Sequence, residues 1–180
     1  MLTIDNTALL VIDVQGKLAQ VMHNKESLFD NLERLIKGAR VLDLPIIWTE
    51  QVPEKLGPTT PALAELMADV ARPISKASFS CCGVAPFTEQ LATSGRRQVL
   101  MTGIETHICV YQTSLDLLSQ GYEVQLVIDA VSSRTAENRQ LGIERIQAAG
   151  GILTSTEMAL FELLRVADGP QFKEIARIVK

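Results

Sequence analysis

Val99-Leu-Met-Thr-Gly-Ile-Glu-Thr-His-Ile-Cys109 is the stretch whose reading decides the fold. Val99 to Met101 form an apolar run of strand type, and Gly103 interrupts it. Thr106 reads as a helix N-cap, and Ile108, Tyr111, Leu115 and Leu118 follow at helical spacing. A buried strand that passes directly into a helix is half of a β-α-β unit. Cys109 then lies about one turn into that helix, facing unpaired backbone N–H groups and the positive end of the helix dipole, which favour thiolate over thiol. That setting makes Cys109 a candidate nucleophile. The alternative is a core cysteine, since free Cys is usually interior.

Working outward, six short apolar runs alternate with amphipathic stretches: 8–12, 45–48, 72–75, 98–102, 123–128 and 151–154. The first helix is capped by Asn24 and carries Leu28, Leu32, Leu35, Ile36, Ala39 and Leu42 on one face. Further helices are predicted over 60–70 with Pro61 at the first position, over 87–93, over 136–149 with Gly150 as the stop, over 156–164 and over 171–179. The alternation predicts an α/β fold: a three-layer, doubly wound, Rossmann-like six-stranded sheet, mostly parallel, with helices on both faces. The 180 residues suit a single domain over 1–180, and no repeat or linker divides them. The longest irregular segment, 50–59, reads either as a pocket wall or as an ordinary surface loop.

Composition narrows the function classes. The chain is 47% hydrophobic and 4% aromatic, with net charge −4 and no basic cluster, so neither disorder nor nucleic-acid binding is indicated. No apolar run is long enough for a membrane span, and Met1–Asp5 does not read as a leader. Three cysteines form no disulfide framework, so a cytoplasmic location is expected. The first strand is followed by Asp13-Val-Gln-Gly16 rather than a Gly-rich fingerprint, and no P-loop occurs, which disfavours nucleotide cofactors.

Parallel strands bring their carboxyl ends to one edge, where residues distant in sequence can meet. Asp13 closes the first strand, Lys76 follows the third and Cys109 follows the fourth. Separately, Asp13 could be a loop cap and Lys76 a solvated surface lysine. Together they make chemical sense, because a thiol needs a base and a buried carboxylate needs a cation.

These residues fit a known pattern. Leu10-Val-Ile-Asp-Val-Gln15, Ser75-Lys-Ala-Ser-Phe79, Gly103-Ile-Glu-Thr-His-Ile-Cys-Val-Tyr-Gln-Thr113 and Asp129-Ala-Val-Ser-Ser-Arg134 occur in the order and spacing of the isochorismatase-like cysteine hydrolases, which the chain resembles over nearly its full length. Trp48-Thr-Glu-Gln-Val-Pro-Glu-Lys-Leu-Gly57 is most similar to the branch known by its isochorismatase domain rather than by a substrate. The resemblance implies an Asp13–Lys76–Cys109 triad and a cis peptide between Ile104 and Glu105. It also implies an oxyanion hole made by the Glu105 and Cys109 N–H groups, homo-oligomerisation, and hydrolysis of a small-molecule C–N bond through a thioester. Relatives that bind metal carry several His residues after the second strand. This chain has only His23 and His107, so neither metal nor cofactor is expected.

Around this core, Gln15, Trp48 and Phe79 are candidate substrate contacts, each with a packing or loop role as the alternative. His107 reads as structural, Glu105 as solvent-facing unless its backbone is used, Asp129 and Arg134 as a structural pair or loop anchor, and Cys81 and Cys82 as spectators. Two other functions remain open: a non-catalytic small-molecule binder or scaffold, and a redox sensor using Cys109 with Cys81 or Cys82.

Overall fold

The computed structural model describes residues 1–180. Its six strands are β1 (Thr7–Ile12), β2 (Ile46–Gln51), β3 (Ile74–Lys76), β4 (Gln98–Ile104), β5 (Glu123–Ser132) and β6 (Ile152–Thr154). They form one sheet in the order β3-β2-β1-β4-β5-β6, and every adjacent pair is parallel. The helices are α1 (Gly16–Gln20), α2 (Lys25–Val41), α3 (Pro53–Leu56), α4 (Pro61–Met67), α5 (Ala85–Thr93), α6 (Tyr111–Ser119), α7 (Ala136–Ala148), α8 (Thr156–Leu164) and α9 (Gly169–Ile178). None is long and apolar enough to cross a membrane.

The central strands are buried on both faces, and their alternation divides the core into two layers. Leu9 and Val11 of β1, with Leu100 and Ile104 of β4, join Leu28, Leu32, Leu35 and Ile36 of α2. Ala8, Leu10 and Ile12, with Val99 and Met101, join Phe87 of α5, Leu117 of α6 and Ile143 of α7. Period-2 strands sandwiched between helices therefore read in sequence as unbroken apolar runs.

The strand order places β1 between β2 and β4, and the chain reverses direction across the sheet there. Connections leaving the carboxyl ends of β1 and β4 diverge at such a switch point and leave a crevice. Asp13 stands at that end of β1 in a left-handed conformation, φ 52°. Across from it Gly103, with φ 106°, lets β4 approach β1 closely. A Cβ at this position would lie 2.1 Å from the Ile12 carbonyl oxygen.

Several boundaries differ from expectation. β3 is displaced towards Lys76, which is its last residue rather than the one after it. The segment 50–59 is not wholly irregular, because β2 continues to Gln51 and α3 forms a single turn. Asn24 caps α2 by position only, at φ 50° and without a side-chain bond. Thr106 is not an N-cap either. It opens a π-helical turn, Thr106–Val110, in which the Val110 N–H donates to the Glu105 carbonyl at 3.3 Å. Its hydroxyl has no partner. β5 runs four residues beyond its apolar run, and its register against β4 shifts between Met101 and Gly103.

Gly103→Ala combines an unfavourable φ with a backbone clash, and is expected to destabilise the fold by about 3 kcal/mol. Urea unfolding of the variant against wild type measures this.

Candidate active site

β1, β3 and β4 each bring one reactive side chain to the crevice. Lys76 Nζ donates to Asp13 Oδ2 at 2.6 Å, and this ion pair is closed from solvent on both sides. The ammonium also reaches Gln51 Oε1 at 2.6 Å and the carbonyls of Ser78 and Phe79 at 3.2 and 3.1 Å. Its donors are thus all engaged, which is the condition under which a buried charge is tolerated. The other Asp13 oxygen accepts from Thr49 Oγ1 at 2.8 Å.

Cys109 is 7% exposed and shares a cavity of about 110 Å³ with Asp13. Leu18, Leu56, Phe79, Ile104 and Ile108 give most of the wall, and Gln51 and Glu105 complete it. The peptide between Ile104 and Glu105 is cis. The Glu105 N–H has no partner within the protein, while the Glu105 carbonyl is taken by Ile108 N–H at 3.0 Å and by Val110 N–H. π turns of this kind recur at functional sites because they free backbone groups that an α-helix would consume.

The expectation of a thiolate at rest is not met. Burial pushes the Cys109 thiol up to about 12; the adjacent Asp13 carboxylate adds to this, and the Lys76 charge opposes it. Desolvation outweighs the helix-end effect because the thiol sits under an apolar wall and beside an anion. The resting site is therefore a neutral thiol next to an ion-paired carboxylate. Cys81 behaves similarly: burial raises it to about 12, against the pull of Lys76. It is fully buried, with Sγ 3.8 Å from Thr49 Oγ1 and its N–H on Thr113 Oγ1 at 3.0 Å.

Other sequence candidates have different surroundings from those expected. Gln15 does not line the cavity. Its amide donates to the Gln51 and Gly57 carbonyls at 3.0 and 2.7 Å and accepts from the Gln51 N–H at 2.7 Å, so it ties the 50–59 segment to β1. Trp48 is also absent from the wall. Its indole N–H donates to Thr59 Oγ1 at 2.7 Å, and Thr59 in turn donates through N and Oγ1 to Glu50 Oε1. Phe79 does line the cavity and is 54% exposed at its mouth.

Glu105 does not face solvent. Its buried carboxylate accepts from Arg134 N at 2.9 Å and Nε at 3.2 Å. Arg134 is accordingly not paired with Asp129, which instead accepts from Thr156 N and Oγ1, both at 2.9 Å, at the start of α8. His107 Nδ1 lies 2.9 Å from Ser133 Oγ and outside the cavity. No three His, Cys, Asp or Glu side chains converge as a metal site. Thr49, Gln51, Leu18, Leu56 and Ile108 were not singled out in sequence. A strand continuing through Glu50-Gln51 is the signal that would have shown Thr49 and Gln51.

The profile of the isochorismatase domain matches residues 7–158. The chain belongs to the isochorismatase family. Among its family relatives, mouse isochorismatase domain-containing protein 2A is 40% identical over 179 residues, covering 98% of this chain and 84% of that one. Among solved structures, the Caenorhabditis elegans MAR1 ribonuclease is 38% identical with a TM-score of 0.91, over 99% of this chain and 91% of that one. YcaC from Pseudomonas aeruginosa, solved with hexane-2,5-diol and covalent acrylamide, is 25% identical with a TM-score of 0.92, over 98% and 90%. The isochorismatase-family fold is that of a hydrolase.

Two outcomes follow from the site's electrostatics. Lys76→Ala leaves Asp13 buried without a cation and is expected to cost about 3–5 kcal/mol; Asp13→Asn combined with Lys76→Met should recover most of it. Both are read by urea unfolding. For the thiols, the folded pKa lies above the unfolded value of 9.0. Their contribution is complete below about pH 9 and is lost as pH rises towards 12, where the unfolded chain has released protons the folded chain keeps. The urea midpoint should fall between about pH 8 and about pH 10.5, and fall less in Cys81→Ala.

Proposed function

We propose that the protein is a cysteine-dependent hydrolase acting on the C–N bond of a small carboxamide. The observation that carries this is the shared cavity: the Cys109 thiol and the Asp13 carboxylate face one small space, with the Lys76 ammonium behind the carboxylate.

In this reading the neutral thiol is activated as it reacts. Asp13 accepts the Sγ proton while Sγ bonds to the substrate carbonyl carbon, and the C=O π pair moves onto oxygen. The Glu105 and Cys109 N–H groups receive that oxyanion. When the C=O re-forms, the C–N bond breaks and the nitrogen takes the proton from Asp13, leaving as ammonia or an amine. Water then attacks the thioester and gives a proton to Asp13, and the returning proton re-forms the thiol as the acid departs. Lys76 stays charged throughout. It holds Asp13 in place and offsets negative charge passing between carboxylate and sulfur.

The Pseudomonas relative, which bears covalent acrylamide, supports carrying small-carboxamide recognition to this chain. The name of the nematode relative suggests RNA as a second substrate. A cavity wall with Asp13 and Glu105 but no Lys or Arg, in a chain of net charge −4, favours the carboxamide. We further infer a cytosolic homo-oligomer. The three cysteines are unpaired, and Leu56 and Phe79 are exposed apolar side chains at the mouth, a surface that association with a second copy would bury.

Ammonia release from a panel of small amides tests the reading. Asp13→Asn should lower kcat by about 10²–10⁴-fold, the range for loss of a general base. Cys109→Ala should abolish turnover and the acyl-enzyme mass adduct. Unchanged turnover in Cys109→Ala would put a non-thiol mechanism in its place, and no ammonia from any amide with the wild type would leave the non-catalytic reading.

A further inference from the structure

The polar groups of the cavity are almost all spoken for, and the manner in which they are engaged selects the ligand. Gln51 lines the wall, but its carbonyl oxygen is held by Lys76 and its amide donates to the Ala77 carbonyl at 2.7 Å. Asp13 and Glu105 also line it, and each is paired with a cation: Lys76, wholly buried, for Asp13, and Arg134 for Glu105. Neither cation lines the cavity. The remaining wall is aliphatic or aromatic. The cavity surface is thus almost wholly apolar: Asp13 and Glu105 contribute to its wall with no positive side chain beside them, and the Glu105 N–H is a backbone donor without a partner in the protein.

We infer that the site takes a small, uncharged carboxamide with a compact aliphatic acyl group and excludes carboxylate-bearing analogues. This rests on the hydrolase reading for its chemistry, though not for its selection of charge. A substrate carboxylate would be desolvated beside Asp13 and Glu105 with no cation to receive it, and such like-charge contact is strongly unfavourable. The carboxamide oxygen needs only backbone donors of the kind the Glu105 N–H supplies. The cavity of about 110 Å³ has room for about four waters, or for a ligand of about six non-hydrogen atoms, the size of butyramide.

The test compares matched probes on the full chain. Alkylation by iodoacetamide and by iodoacetate, which differ in charge and little in size, is followed at Cys109 by peptide mass, with 2-mercaptoethanol as reference. The amide-to-acetate rate ratio at Cys109 should exceed that of the reference by about 30-fold, while half-buried Cys82 stays within about 3-fold. Ammonia release from butyramide should exceed that from succinamate by about 100-fold in kcat/KM.

A Cys109 ratio equal to the reference, or succinamate hydrolysed as well as butyramide, would overturn the assignment. So would failure of both alkylating agents to reach Cys109, since the cavity would then not admit a ligand of this size. Discrimination in alkylation with no ammonia from any amide would sustain the neutral-ligand assignment and remove the hydrolase reading.

Discussion

The Asp13–Lys76 ion pair is the constraint around which the upper edge of the sheet is organised. A carboxylate and an ammonium withdrawn from water are stable only if each is fully engaged, and meeting that condition recruits Thr49 and Gln51 from β2 and two carbonyls after β3. Those contacts in turn fix how β2 and β3 end. The reactive centre is thus built from three adjacent strands before the element carrying the thiol is considered.

Cys109 arrives from the other side of the switch point, and what positions it is backbone geometry rather than charge. Gly103 brings β4 against β1, the cis peptide turns the chain, and the π turn lifts the thiol to the same space as Asp13. Arg134, delivered by the extension of β5, holds the Glu105 side chain from behind. The site therefore has two halves, each containing a carboxylate backed by a cation. Burial pushes the sulfur's proton affinity up between them, and in the proposed hydrolase reading the thiol is activated by proton transfer as it attacks.

Much of this was readable in the chain. Six apolar runs at αβ spacing indicated the sheet because strands covered on both faces tolerate few polar residues, and parallel strand ends brought Asp13, Lys76 and Cys109 to one edge. Details governed by long-range partners were not readable. The i+5 turn at Thr106 leaves almost the same apolar pattern as an ordinary helix start. Glu105 looks like a surface residue until Arg134, 29 positions away, is placed beside it. Gln15 and Trp48 looked like pocket residues because they flank one, yet their hydrogen-bonding groups face protein partners. The thiol's proton affinity depended on how much water the fold removes, which local sequence does not encode.

The tethers on the 50–59 segment have a further consequence. Gln15 grips it at Gln51 and Gly57, Thr59 is tied to Glu50 and Trp48, and Gly16 N–H bonds to the Pro58 carbonyl at 3.1 Å. All of these anchors lie outside Pro53–Leu56, the single turn that lends Leu56 to the cavity mouth. The turn is therefore held at its two ends and against Gly16, where a Cβ would lie 1.8 Å from the Leu56 carbonyl oxygen, while its side chains are left free of hydrogen bonds. Changes of side chain within it alter the apolar rim that Leu56 lends to the mouth and leave the hydrogen bonds of the anchors beneath untouched.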